Sequence, residues 1–172
     1  MIHELTYKIF LVDDDMKHLL LLKDQLENRL NYKLDIETFT TGKDALNALD
    51  RNPDIVILDY YLDGEGDDTE NGIAYLKRIL ARRPNLPVVM MSQQDKIEVV
   101  VECYDYGAKE YIAKNETAYA RALIVMRNLI QEKARELRNK QLLDGANKAK
   151  LIMAGFIILL LGIVALLAFD HV

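Results

Sequence analysis

Three aspartates stand in a row, Asp13, Asp14 and Asp15, directly after the apolar run "YKIFLV". Like charges side by side repel, so such a triplet is either a solvated turn or the seat of a cation. A fourth acid, Asp59, follows a second apolar run, "DIVIL". A hydroxyl, Ser92, closes "LPVVMMS", and an ammonium, Lys114, closes "EYIAK". Carboxylates with no softer donor among them select a hard divalent cation. Mg²⁺ in particular is held by one or two carboxylates together with waters and phosphate oxygens. A carboxylate such as Asp59 can act as a nucleophile toward phosphorus and form an aspartyl-phosphate. The cation cancels repulsion between the incoming phosphoryl group and the acids. Lys114 supplies a point charge to one phosphoryl oxygen and Ser92 a hydrogen bond to another.

Those residues converge only if the elements before them lie side by side. The apolar runs 7–12, 34–39, 54–58, 86–92 and 110–114 read as strands. The run at 54–58 is continuous rather than alternating, as in a strand buried on both faces. Between the strands, helical patterns are expected over 16–30, 43–52, 73–83 and 96–108, and a last one from Glu116 to about Leu143. Asp15 is placed to cap the first helix. Five strands alternating with helices through short connections force a parallel sheet with right-handed crossovers and helices on both faces. In such folds the functional crevice lies beyond the C-terminal strand ends, where Asp13, Asp14, Asp59, Ser92 and Lys114 all fall.

In order and spacing these segments resemble the receiver domains of two-component response regulators, over about residues 6–130. "LVDDD" is similar to the family's acidic signature, with Asp13 and Asp14 as the pair, and "VILDYYL" to its phospho-acceptor strand, with Asp59 as acceptor. "PVVMMS" places Ser92 at the Ser/Thr position, and "GAKEYIAK" places Lys114 and the aromatic switch residue Tyr111. The resemblance implies a flavodoxin-like α/β fold, a doubly wound five-stranded sheet in the order 2-1-3-4-5. It implies Mg²⁺ held by Asp14, Asp59 and the backbone carbonyl of Tyr61, with Asp13 acting through water. It further implies a sensor histidine kinase or phosphotransfer protein as partner, and a signalling module rather than an enzyme, with only self-catalysed phosphotransfer and dephosphorylation. Two departures stand out. Asn115 follows Lys114 where the family has Pro, and an acidic stretch at 63–72 extends the acceptor loop. That stretch lacks the spaced set of a calcium loop and is expected to be a solvated modulator of partner access.

The 172 residues carry 27 acidic and 22 basic side chains, yet residues 133–150 hold six bases and two acids. An acidic body on a basic stalk is not the charge pattern of a nucleic-acid binder. The single cysteine, Cys103, excludes an internal disulfide and is expected to be a core thiol. His3, His18 and His171 have no metal-ligand pattern around them and are expected at the surface. Residues 151–169, "LIMAGFIILLLGIVALLAF", contain no charge. As a helix they would span roughly 28 Å, close to a bilayer's hydrocarbon core. The chain therefore divides into a receiver (1–130), a basic helical stalk (131–150) and an expected transmembrane helix (151–169). Lys148 and Lys150 orient the receiver to the cytoplasmic side of the inner membrane by the positive-inside rule. Asp170, His171 and Val172 follow, the arrangement of a tail anchor. Gly155 and Gly162 share a helix face and Leu123, Met126, Ile130 and Leu137 a heptad-like seam, so a homodimer is conceivable. The combined expectation is a stand-alone, membrane-tethered receiver phosphorylated on Asp59. Its rival is a receiver-like scaffold that assembles at the membrane without phosphorylation. A haloacid-dehalogenase-like phosphatase, suggested by Asp13-x-Asp15, is disfavoured because Lys17 replaces the Thr or Val expected there.

Overall fold

A computed structural model describes residues 5–62, 71–94 and 96–169, except for the side chains of 159 and 162–169. The elements follow the expected alternation. They run β1 (Thr6–Val12), α1 (Met16–Arg29), β2 (Lys33–Phe39), α2 (Gly42–Asn47), β3 (Ile55–Asp59), α3 (Gly72–Arg82), β4 (Val88–Ser92), α4 (Ile97–Asp105), β5 (Glu110–Ala113) and α5 (Ala118–Phe169). A short 3₁₀ turn, Leu49–Arg51, takes the end of the longer second helix that the sequence suggested. All four strand pairings are parallel, in the order β2-β1-β3-β4-β5.

Side chains alternate across each strand, and the two faces separate into two cores. Phe10, Val12, Val56, Leu58, Val88 and Met90 pack with residues of α2, α3 and α4, including Leu46, Leu76 and Cys103. Ile9, Leu11, Ile57, Val89, Met91 and Ile112 face the other way, onto Leu19, Leu22 and Leu26 of α1 and Ala122 and Met126 of α5. Every residue of β3 and β4 is buried, which is why these strands read as continuous apolar runs. Full burial of each such aliphatic side chain stabilises the fold by about 1.5–3 kcal/mol.

Two contacts put the site's elements under tight control. Asp15 caps α1, accepting from the Lys17 N–H at 2.8 Å and the His18 N–H at 3.4 Å. Gly72, at the start of α3, donates its N–H to the Tyr60 carbonyl at 2.7 Å. A Cβ on Gly72 would lie 2.1 Å from the Asp59 carbonyl oxygen, so only glycine permits this approach behind Asp59.

Several expectations are corrected. Met126 and Ile130 are wholly buried in the core shared with α1, so they do not form an exposed coiled-coil seam. Residues 144–150, past the expected helix end at about Leu143, are helical within α5. The chain forms two compact units, Met1–Ile130 and Gln131–Val172. Among the described residues no helix is long and apolar enough to cross a membrane. The side chains of nine of the nineteen residues expected to span lie outside the described set. The acidic stretch at 63–70, His3 and His171 also fall outside it.

Candidate functional site

The C-terminal ends of β1, β3 and β5 deliver Asp13, Asp59 and Lys114 to one place. The Lys114 Nζ donates to Asp13 Oδ2 at 2.7 Å and to Asp59 Oδ2 at 2.6 Å, joining residues 101 and 55 positions apart in the chain. Both carboxylates are nearly buried, at 5 % exposure each, while Asp14 is exposed. One carboxylate oxygen from each of Asp13, Asp14 and Asp59 can be chosen so that all three lie within 4.8 Å of one another. Three acids against one ammonium leave two negative charges, which a divalent cation balances. The donor set is oxygen alone, as a hard cation such as Mg²⁺ requires.

The electrostatics differ sharply between the acids. Burial drives the Asp59 carboxyl up from 3.8 to about 6, against the pull of Lys114 and with a further push from Asp13. Burial also works against ionised Asp13, but hydrogen bonds from His18 and Lys114 outweigh it and hold that carboxyl below its usual range. Burial likewise opposes the Lys114 charge, yet Asp13 and Asp59 hold the ammonium above its ordinary value. The site thus keeps Lys114 charged and Asp13 ionised, while Asp59 is the acid that is costly to hold as a bare anion.

The other expected residues take varied places. Tyr61 lines the cleft, and its N–H donates to Asp59 Oδ1 at 3.4 Å. Ser92 ends β4 between the strands of Asp59 and Lys114. It is fully buried, and its hydroxyl oxygen accepts from the Gln94 N–H at 3.1 Å instead of opening to the cleft. The Lys114 N–H donates to the Ser92 carbonyl at 2.6 Å, so Ser92 fixes the lysine's backbone as well. The Tyr111 hydroxyl donates to the Gln94 carbonyl, tying β5 to the β4–α4 loop. Asn115, standing where proline was expected, starts α5 through its own side chain, whose Oδ1 accepts from the Thr117 N–H at 2.9 Å and the Thr117 hydroxyl at 2.8 Å.

His18 is the residue that sequence reasoning misplaced. It is not a surface histidine: its side chain is 16 % exposed, lines the cleft and meets Asp13 Oδ2 through Nδ1 at 2.5 Å. Its ring lies 5.6 Å from that of Tyr119 on α5, a second cleft residue not anticipated. The available signal was its position in the first turn of a helix capped by Asp15, where a side chain turns back toward the preceding loop.

The comparisons with known proteins agree with this geometry. The family model described as the response regulator receiver domain matches residues 9–124. The chain is 33 % identical over 107 residues to the DNA-binding transcriptional regulator NtrC of Klebsiella pneumoniae, covering 61 % of this chain and 21 % of that protein. It is 34 % identical over 110 residues to the transcriptional regulatory protein CssR of Bacillus subtilis, covering 64 % of this chain and 45 % of that one. The match thus spans about a fifth to a half of these relatives. Among solved structures, the receiver domain of NtrX from Brucella abortus superposes with a TM-score of 0.61 at 31 % identity, over 72 % of this chain and 98 % of that one. The BeF3-activated DrrB receiver domain superposes at 0.63 with 24 % identity, over 74 % of this chain and 99 % of that one, a likeness of fold. With the acidic cleft and the sheet order already in place, the matched span shows that this chain belongs to the response regulator receiver domain family.

Proposed function

We propose that Asp59 accepts a phosphoryl group from a phosphohistidine on a sensor histidine kinase or phosphotransfer protein. One Asp59 oxygen attacks phosphorus, the P–N bond to the donor imidazole breaks, and the donor histidine leaves with its electron pair. The observation that carries this reading is the Lys114 ammonium bridging Asp13 and Asp59 beside the exposed Asp14. Mg²⁺, held by Asp14, Asp59 and the Tyr61 carbonyl with Asp13 reaching it through water, would neutralise the phosphoryl oxygens. Lys114 exchanges its bond to Asp59 for one to a phosphoryl oxygen, and the Ser92 hydroxyl turns to donate to another. Either movement pulls on the loop that Tyr111 ties to β5, and shifts the face formed by α4, β5 and the first turns of α5.

On sequence grounds we place this switch at the inner membrane. Residues 151–169 carry no charge and Lys148 and Lys150 precede them, which favours insertion with the receiver on the cytoplasmic side. Gly155 and Gly162 make self-association through that segment the natural route to a dimer. Treating the full-length chain with acetyl phosphate and Mg²⁺ and following its mobility on a phosphate-retarding gel tests the phosphorylation. The wild type should show a retarded band and Asp59→Asn none. A wild type without a retarded band would favour the non-phosphorylated scaffold.

A further inference from the structure

The Asp13 carboxylate is held by three donors from three parts of the chain. Oδ1 accepts from the Asp15 N–H at 3.0 Å. Oδ2 accepts from Lys114 Nζ at 2.7 Å and faces His18 Nδ1 at 2.5 Å. An ionised carboxylate only accepts, so Nδ1 is the protonated ring nitrogen and His18 donates. Asp14, by contrast, makes no hydrogen bond among the described residues and is exposed. Three of about four lone-pair positions on Asp13 are therefore taken. Its carboxylate cannot rotate without breaking a charge-assisted bond, whereas Asp14 is free to meet a cation. His18 is itself held, by its position in the first turn of α1 and by the Tyr119 ring 5.6 Å away.

The geometry points to His18 as a positioning residue for cation binding. It clamps Asp13 against Lys114, so that Asp13 presents a fixed oxygen at the rim while Asp14 and Asp59 close on the ion. This rests on the reading of the cleft as a Mg²⁺ site. The role is that of an outer-shell partner, which orients a carboxylate that in turn orients what the metal carries; loss of such a partner weakens metal affinity by about 10–100-fold. Such a clamp acts on binding and leaves the chemistry at Asp59, whose partners are Lys114 and the Tyr61 N–H, largely intact.

The test is Mg²⁺ titration calorimetry on the full-length chain in detergent, for wild type, His18→Leu and His18→Asn. Leucine keeps an apolar body against Tyr119 but has no donor. Asparagine places an amide N–H close to where Nδ1 stood. His18→Leu should bind Mg²⁺ about tenfold more weakly, and His18→Asn should stay within about twofold of wild type. In acetyl phosphate reactions the half-saturating Mg²⁺ concentration of His18→Leu should rise by the same factor, with the rate at saturating Mg²⁺ nearly unchanged. Should the leucine variant not fold, His18→Met repeats the comparison with a more adaptable apolar chain. Equal Mg²⁺ affinity in wild type and His18→Leu would overturn the positioning role alone. So would an asparagine variant as weak as the leucine one. A wild type that binds no Mg²⁺ would overturn the cation site and this role together.

Discussion

If Asp59 is costly to hold as an anion, removing its charge should stabilise the metal-free protein. Its carboxyl lies at about 6 in the fold against 3.8 for the free group. A raised value means that the fold binds the proton more tightly than the unfolded chain does. The penalty is therefore absent well below 3.8, where both states are protonated, grows as pH rises from 3.8 to about 6, and levels off above that. A difference of about two units corresponds to about 3 kcal/mol at pH 7.5. Asparagine mimics the protonated acid, so Asp59→Asn should gain about 1–3 kcal/mol in chelator at pH 7.5, and almost nothing at about pH 3. For a chain of this size that is a rise of several degrees in the unfolding midpoint, on the scale of about 2–4 °C per kcal/mol. Urea unfolding of the full-length chain in detergent, read by pulse proteolysis, measures the difference directly. Adding Mg²⁺ should narrow or reverse it, because the ion stabilises the wild type in proportion to its binding. An Asp59→Asn variant no more stable than wild type at pH 7.5, or a gain of equal size at about pH 3, would refute the reasoning.

Four further outcomes follow from particular contacts. Gly72→Ala must push a methyl carbon into the Asp59 carbonyl, 2.1 Å from where it would sit, and should cost several kcal/mol and lower the thermal midpoint by about 10 °C. The Cys103 thiol is fully buried, and burial followed by Glu102 pushes it up to about 11, so it should ignore a thiol reagent at pH 8 in the native state and react at once in urea. Because that value is raised above 9.0, ionisation of Cys103 penalises the fold as pH climbs past 9, and Cys103→Ala should flatten the stability loss between pH 9 and 11. Asp15→Ala removes the acceptor for two N–H groups at the start of α1 and should cost about 1 kcal/mol in urea unfolding.

The strands were legible because parallel strands buried on both faces have to be written as unbroken apolar runs, and β3 and β4 are. The site was legible for a related reason. Asp13, Asp59 and Lys114 each stand at or just beyond the last residue of such a run, and parallel strands end on the same edge. What periodicity cannot tell is the partner of an apolar stripe. Met126 and Ile130 have the spacing of an exposed seam and the burial of a core, because the helix packs on the sheet before it could meet a second copy. His18 was missed for a different reason. A histidine five residues beyond Asp13 shows no ligand spacing, and only the Asp15 cap and the turn of α1 bring the ring back onto that carboxylate. Tyr111 and Ser92 were placed on the right strands, but the loop contacts that occupy their hydroxyls, both with Gln94, come from local backbone geometry that residue types do not encode.

The central claim is that Asp59 is the atom-level acceptor of a phosphoryl group. An aspartyl-phosphate is an acyl phosphate, and borohydride reduces it to the alcohol, leaving homoserine in the chain. Full-length protein treated with acetyl phosphate and Mg²⁺, reduced, digested and sequenced by mass spectrometry should carry homoserine at position 59, and none once Mg²⁺ is chelated. Homoserine at another acid such as Asp13 or Asp14, or at none, would contradict the account.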